Sequence, residues 1–250
     1  MTARTTIDTN AKPVNLRIRE DVRQLIDRAA RLRGKTRSDF MIDAAYRAAE
    51  ETLLDQTLVR VDDQSYRRYL AILDQPPQGD GFERLMNAPL MLSAPSPLAD
   101  EHILDQFDSG SPSLDEWLRR RARANNVSGA SRTYVVAEDR QVVGYYCLSS
   151  GAIDLAAAPG PVRRNMPDPI PMAILGRLAV DKDWQGRGLG VALLQDAVVR
   201  TAQAAAILGI RGILVHAISD EAKNFYERYG FTASLAHPMT LILSLKSKAG

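Results

Sequence analysis

The sequence predicts an α+β protein made of two modules joined by a segment that lies on a partner surface. An alternating stretch followed by two helical patterns fills residues 1–54. Residues 55–90 carry isolated apolar clusters, and residues 91–250 mix strand and helix patterns around a glycine-rich loop. This order of elements is typical of an α+β architecture with more than one folding unit.

Composition narrows the class of protein. The 250 residues, 45% hydrophobic and 25% charged, suit one large or two modest globular domains. We find no apolar run near the length of a membrane span and no signal peptide, so we expect a cytoplasmic protein. The lone Cys147 excludes an internal disulfide. No metal is expected, because the three histidines are scattered: His102, His216 and His237.

The first module is basic. Up to Arg37 the chain has ten lysines and arginines against four acidic residues, although the whole chain carries only +2. A basic module predicts a polyanionic partner, commonly nucleic acid.

The same module has the pattern of one strand and two helices. A half-buried strand is predicted because apolar Val14, Leu16 and Ile18 alternate with polar residues. A first helix runs to Gly34, and Thr36 or Ser38 caps a second one. So small a module cannot bury enough surface alone, and a lone strand needs a partner. We therefore expect a homodimer whose two strands pair antiparallel.

This strand–helix–helix text, over residues 10–55, resembles the ribbon–helix–helix repressors. In that family the paired strands lie in the DNA major groove. The resemblance implies two sets of DNA-binding residues: Asn15, Arg17 and Arg19 on the outer face of the ribbon, and Thr36, Arg37 and Ser38 against a phosphate. The plainer interpretation is an amphipathic strand with solvated arginines.

The segment 55–90 predicts short structure that packs on another surface. Tyr66, Tyr69, Leu70 and Leu73 have the spacing of an amphipathic helix. "QPPQGDG" ends it, and "FERLMNAPL" offers a second apolar patch. An ordinary linker is the alternative, but a linker does not account for these apolar clusters.

The second module alternates between helix and strand. One helix is predicted over "SPSLDEWLRRRARANN", with Ser113 and Glu116 as a capping box, and a hairpin turns at Asp139-Arg140. An apolar strand at 172–180, the glycine loop and a helix to Leu208 follow. "RGILVHAI", "SDEAKNFYERYG" and "MTLILSL" predict a strand, a helix and a last strand.

The loop in "DWQGRGLGVALL" predicts a phosphate site, since its glycines expose backbone N–H groups at the start of a helix. It is not a P-loop, because Val191 and Ala192 stand where lysine and serine or threonine are required. It is not a Rossmann fingerprint either, because Val191 replaces the third small residue.

Residues 91–245 resemble the GNAT acetyltransferases, through this loop and through "LGRLAVDKDW" and "SDEAKNFYERYGF". The resemblance implies acetyl-CoA as cofactor, with its pyrophosphate held by Gln185, Gly186, Arg187, Gly188, Leu189 and Gly190. It implies that the backbone of Leu178, Ala179 and Val180 polarises the thioester, and that Tyr226 protonates the departing thiolate. The plainer interpretation of Leu178, Ala179 and Val180 is packing in a buried strand. The plainer interpretation of Tyr226 is packing on a helix face, which is the role expected of Tyr229. Ser219 departs from the asparagine that many members carry there, and it suits a helix cap.

No general base stands out. Asp181, Asp183 and His216 are candidates, but each has a simpler structural interpretation. An α-amino group, with a pKa near about 7.7–8.0, is partly neutral at physiological pH, whereas lysine, near about 10.4, is not. The missing base therefore favours an α-amine acceptor.

Two longer stretches, "PGPVRRNMPDPIPMAILGRLAVDK" and "GIRGILVHAISDEAKNFYERYGF", are similar to the TacT-type acetyltransferase toxins. The resemblance implies acetylation of the α-amino group on aminoacyl-tRNA, which blocks translation. TacA-type antitoxins are ribbon–helix–helix proteins whose tail wraps the toxin. The chain is then an antitoxin–toxin fusion with operator DNA as a partner, divided into residues 1–54, 55–90 and 91–250.

Basic residues support a tRNA acceptor. One helix supplies four of them and the loop before the apolar strand two more: Arg119, Arg120, Arg121, Arg123, Arg163 and Arg164. A solvated helix face is the plainer interpretation. Two other functions stay open. The enzyme could acetylate a protein or small-molecule amine, or the chain could be mainly a DNA-binding repressor with a silenced enzyme.

Overall fold

The computed structural model describes residues 12, 14–77, 79–88, 94–155, 168–234 and 237–245. The chain divides into two compact units, Met1–Ala48 and Ala49–Gly250. We describe each unit by itself.

The first unit holds helix α1 (Glu20–Leu32) and most of helix α2 (Arg37–Leu54). α1 ends as predicted, because Gly34 takes the left-handed φ of +63° that closes a helix cheaply. Of the two predicted caps, Thr36 is the one used: its Oγ1 accepts the backbone N–H of Asp39 at 3.2 Å. The predicted strand is not formed, since residues 14–19 lie outside helix and strand. A lone strand in one chain has no partner for its backbone groups.

The described residues of the second unit are built on an eight-stranded sheet in the order β2-β3-β4-β5-β6-β8-β7, with β1 beside β4. β1 pairs with β4 and β5 with β6 in parallel, and the other pairs are antiparallel. The predicted hairpin turns at Asp139 and Arg140, both at positive φ. The strands are β1 (Leu58–Val61), β2 (Ser96–Pro97), β3 (Arg132–Glu138), β4 (Gln141–Leu155), β5 (Ile170–Val180), β6 (Gly212–His216), β7 (Thr232–Ala233) and β8 (Thr240–Ser244).

Within the described ranges, six further helices cover the two faces of the sheet: α3 (Asp63–Leu73), α4 (Asp80–Met86), α5 (Pro112–Arg120), α6 (Ala122–Ser128), α7 (Leu189–Leu208) and α8 (Asp220–Arg228). The prediction of a single helix over 111–126 is wrong, because the helix is interrupted at Arg121, between α5 and α6. The predicted capping box is also wrong. Ser111 is the N-cap and Pro112 opens the helix, which places Ser113 inside the first turn.

The segment after α2 completes the sheet. β1 pairs with residues 152–155 of β4, where β3, which pairs with residues 141–148, no longer reaches. α3 then lays Tyr66, Tyr69 and Leu73 against β4, β5, β6 and β8 as one core cluster. α7 and α8 cover the opposite face together with Leu85 of α4. The predicted helix of residues 66–73 is confirmed, but no pattern predicted β1.

One expectation about apolar length is wrong. Among the described residues, α7 is long and apolar enough to cross a membrane by length and composition. Leu193, Leu194, Ala197 and Val198 on this helix are buried in the same core cluster as β4, β5 and β6. The helix is apolar because one of its faces packs against the sheet.

Candidate active site

A cleft of about 480 Å³ opens in the sheet where β5 and β6 separate. The two strands are in register only from Ala173 to Leu175 of β5, and beyond that point β5 continues beside β4 alone. The stretch Gly176–Val180 therefore turns an unpaired edge toward the cleft, and it contains the predicted site residues Leu178, Ala179 and Val180. Val215–Ser219 and the start of α8 form the other wall.

The glycine loop closes one end of this cleft. Gly186 and Gly188 have φ of +73° and +83°, and a Cβ at either would meet open space, so glycine is needed there for its backbone angle. Among the described residues, the backbone N–H groups of residues 186–190 donate no hydrogen bond. Five free donors at the N-terminus of α7 make an anion site, and Arg187, which stacks 4.9 Å from the Trp184 ring, adds positive charge.

Side chains hold this loop against the strand. Gln185 donates from its Nε2 to the carbonyls of Ser109 and Val180, each at 3.0 Å. Asp181 accepts the backbone N–H groups of Asp183 and Asp108. Both oxygens of Asp181 are thus used in structure. Asp183 is exposed and does not line the cleft.

Tyr226 lines the cleft from the second turn of α8, with 7% of its surface exposed. Ser219 starts that helix by accepting the N–H of Ala222 at 3.1 Å. Phe225 and Phe231 pack on the Tyr226 ring at 5.3 and 5.5 Å. Burial raises the pKa of the Tyr226 hydroxyl above its usual value, so it keeps its proton at neutral pH. Tyr229 packs on Phe225 outside the cleft lining.

The end of α2 and the residues after it also reach the cleft. Leu54 lines it, and its carbonyl oxygen lies 3.5 Å from where a Cβ at Gly176 would stand. Asp55 accepts from Nη1 of the buried Arg177 at 2.7 Å. His216 Nε2 lies 3.2 Å from the carbonyl oxygen of Gln56, and burial lowers the pKa of His216. Sequence reasoning missed Arg177, although a charge inside the apolar run "PMAILGRLAV" was a visible signal.

The basic residues predicted for tRNA are partly occupied. Arg119 donates to the Phe107 carbonyl at 2.8 Å, and Arg123 to the His102 carbonyl at 2.6 Å. Arg121 pairs with Glu51 at 3.7 Å, and Arg120 is exposed at the end of α5. Arg163 and Arg164 lie outside the described residues.

In the first unit, the residues predicted for DNA are exposed. Asn15, Arg17 and Arg19 lie before α1, and Arg19 pairs with Asp21 at 2.6 Å. Thr36, Arg37 and Ser38 lie at the start of α2. Arg37 makes a two-pronged pair with Asp27, at 2.5 and 2.7 Å, so a phosphate would have to compete with that carboxylate.

Comparison with known proteins assigns both halves of the chain. A family model described as antitoxin TacA 1-like matches residues 14–89, and a model of the acetyltransferase (GNAT) domain matches residues 129–233. A tRNA-acetylating toxin of Mycobacterium tuberculosis is 53% identical over 154 residues, which are 62% of this chain and 93% of the toxin. Antitoxin TacA1 of Salmonella typhimurium is 39% identical over 67 residues, 27% of this chain and 70% of the antitoxin.

Solved structures agree. AtaTR bound with acetyl-CoA superposes with a TM-score of 0.55 at 29% identity, over 60% of this chain and 92% of the other. AtaT complexed with acetyl-methionyl-tRNAfMet has a TM-score of 0.54 at 29% identity, over 60% and 93%. A KacTA–DNA complex has a TM-score of 0.52 at 27% identity, over 60% and 92%.

Proposed function

We propose that this chain, which belongs to the TacA–TacT toxin–antitoxin family, acetylates the α-amino group of aminoacyl-tRNA and so blocks translation. The antitoxin comes first in the chain, and the GNAT acetyltransferase that carries the activity comes second. Acetyl-CoA is the donor. The observation that carries the proposal is that Gln185 and Gly190, which bracket the loop with free N–H groups, line the same cleft as Tyr226. The M. tuberculosis relative, named a tRNA-acetylating toxin, and the AtaT complex with acetyl-methionyl-tRNAfMet support this acceptor.

The residues present fit acetyl-CoA. The five N–H donors and Arg187 suit its diphosphate, and Gln185 holds their loop to β5. The unpaired edge of β5 at Leu178, Ala179 and Val180 offers N–H groups to the carbonyl of the thioester. When bound, acetyl-CoA supplies an acetyl group activated by its thiol leaving group.

The chemistry then needs little from the protein beyond positioning and one proton. As the neutral amine attacks, N–H groups of β5 stabilise the negative charge that grows on the carbonyl oxygen. Tyr226 gives its proton to the departing sulfur, and the amine loses one proton to water. Asp181 is committed to backbone N–H groups and His216 to Gln56, so neither supports the role of base in this state. An α-amine needs none, since part of it is already neutral.

We propose that the antitoxin half silences this enzyme in the same chain. Leu54 lines the cleft, and the next two residues, Asp55 and Gln56, contact Arg177 and His216 of its wall. β1 anchors this stretch by pairing with β4. Strand addition of this kind couples main-chain hydrogen bonds to a fixed register. We divide the chain into residues 1–54, 55–90 and 91–250, and we place it in the cytoplasm.

The first unit is proposed to bind operator DNA as a dimer. Pairing residues 14–19 of two copies would form the ribbon and would cover Val14 and Leu16, now 78% and 63% exposed. Asn15, Arg17 and Arg19 would then read bases, and Thr36, Arg37 and Ser38 would approach a phosphate. Arg119, Arg120, Arg123, Arg163 and Arg164 remain the proposed tRNA contacts.

The test uses full-length protein whose silencing segment is weakened by Leu73→Ala. Charged tRNA and radiolabelled acetyl-CoA should give label in the aminoacyl group. Tyr226→Phe should lower that rate by about 100-fold or more, because general acid catalysis contributes that much. Tyr229→Phe is the matched control, the same change on the same helix outside the cleft, and should retain activity. Label on polyamines or peptides but not on tRNA would overturn the proposed acceptor.

A further inference from the structure

A buried arginine at the cleft finds its carboxylate partner in the antitoxin half. The Arg177 side chain is 3% exposed, and Nη1 donates to Oδ1 of Asp55 at 2.7 Å. Its guanidinium carbon lies 4.4 Å from the centre of the Trp117 ring. Among the described residues, Asp55 is the one carboxylate within ion-pair distance of Arg177, and the buried Nε makes no hydrogen bond.

Arg177 belongs to the acceptor side of the cleft. It lies on β5 before Leu178, Ala179 and Val180, whereas the glycine loop follows these residues. At about 3.3 Å per residue, Arg177 is about 10 Å farther from that loop than Val180. The diphosphate held by the loop is therefore not the anion that Arg177 would meet.

If Asp55 were removed, Nη1 of the buried Arg177 would lose its acceptor, and Nε has none already among the described residues. The positive charge of the guanidinium would then have no carboxylate partner. A buried charge without a partner is costly, so the open site favours an anion in its place. The planar fork of arginine suits phosphate as well as carboxylate. In an aminoacyl-tRNA, the anionic group closest to the reacting amine is the phosphodiester on the 5′ side of the terminal nucleotide.

We propose that Arg177 binds this phosphodiester of the acceptor RNA, and that Asp55 takes the phosphate's place when the antitoxin segment is docked. The inference rests on the proposed function, because it assumes an RNA acceptor. The segment then silences the enzyme by imitating the charge of its substrate as well as by filling space. Asp55 suits this role because its own side chain is 53% exposed, which leaves it free to withdraw.

The first test measures binding in the full chain without any acetyl transfer. Asp55→Asn removes the competing charge and keeps the shape. The trinucleotide CCA should then raise the melting temperature of Asp55→Asn more than that of the unaltered chain. The added shift should vanish in Asp55→Asn/Arg177→Met, and in Asp55→Asn/Arg177→Lys it should be smaller but present. It should also vanish when CCA carries an uncharged methylphosphonate before its last nucleotide.

Three results would overturn the inference. One is an equal shift in Asp55→Asn with the methylphosphonate analogue, and another is an equal shift in Asp55→Asn/Arg177→Met. The third is the full shift with inorganic phosphate alone at the same concentration, because the site would then be one for any free anion.

The second test separates this inference from the proposed function. In the Leu73→Ala chain, Arg177→Met should raise KM for aminoacyl-tRNA about 10- to 150-fold, the range for a lost hydrogen bond to a charged group, while KM for acetyl-CoA stays constant. Arg177→Lys should recover part of this loss. If tRNA is acetylated with the same KM in Arg177→Met, the inference fails and the proposed function stands. If no chain acetylates tRNA while the CCA shift holds, the proposed function fails and the phosphate site stands.

Discussion

Leu73 gives the sharpest test of whether the segment after α2 silences the enzyme. Its side chain is fully buried, and its Cδ2 lies 2.6 Å from where a Cβ at Gly212 of β6 would stand. Its carbonyl accepts the Ser244 hydroxyl at 3.1 Å. These contacts join α3 to the enzyme sheet. Truncation of Leu73 should therefore weaken docking of the segment and leave the interior of the enzyme intact.

Leu73→Ala should cost about 2–5 kcal/mol, the range for a buried leucine truncated to alanine. At 1.4 kcal/mol per factor of ten, the open fraction of the chain should rise between about 30-fold and several thousand-fold. The assay is the initial rate of acetyl transfer from radiolabelled acetyl-CoA to charged tRNA, with full-length protein. The rate should rise by that factor until most molecules are open.

Leu193→Ala provides the matched control, because Leu193 is equally buried but lies on α7 in the enzyme's own core. It should lower the melting temperature without raising the rate. If both variants are destabilised alike and neither transfers acetyl faster than the unaltered chain, docking of α3 does not control the enzyme. A rise in both would point to general loosening instead.

Three further predictions concern other parts of the chain. Gly188→Ala should weaken acetyl-CoA binding about tenfold in calorimetry, because alanine at φ +83° costs about 1–2 kcal/mol. Gly34→Ala is the control: Gly34 is also left-handed with open space at its Cβ position, and its substitution should leave acetyl-CoA binding unchanged. Burial lowers the pKa of His216, so as the pH falls below about 6.5 the unfolded chain takes up a proton that the folded chain does not, and stability falls. Urea denaturation should show that the free energy of unfolding falls less between about pH 7 and about pH 5.5 in His216→Gln than in the unaltered chain. An equal fall in both proteins would contradict this cause. Arg17→Ala should weaken binding to the chain's own promoter DNA by about 1–3 kcal/mol in gel shifts, with the exposed Arg68→Ala as control, and an equal effect of both would argue against base reading.

Local patterns predicted the helices and loops well, because their causes lie within a few residues. The spacing of Tyr66, Tyr69 and Leu73 predicted α3, and all three side chains are buried against the sheet. Asp139-Arg140 predicted the turn of a hairpin, and both residues take positive φ. Where two local signals competed, the pattern failed: Pro112 starts α5 at Ser111, not at Ser113.

The remaining features depend on partners far away in sequence. β1 has four residues and no helix or turn signal, and it becomes a strand because β4 offers an unpaired edge there. Asp55 and Arg177 are 122 residues apart, so the charge within an apolar strand was visible but its partner was not. The ribbon strand at residues 14–18 lacks a partner in one chain, which is why the pattern predicted a strand that a single copy does not form.

The segment that we propose blocks the acceptor side also completes the enzyme's core, so silencing would be linked to folding. When α3 leaves, it bares six buried apolar side chains: Ile153, Ile170, Met172, Ile174, Leu214 and Ile242. At about 1.5–3 kcal/mol for each fully buried side chain, exposure of even half of this face disfavours the open state strongly. A tether within one chain adds to this, because it holds the segment at an effective concentration that dilution does not change. If the segment silences the enzyme as we propose, we expect activity in the fusion to depend on local opening of residues 54–73 rather than on the relative abundance of two separate proteins.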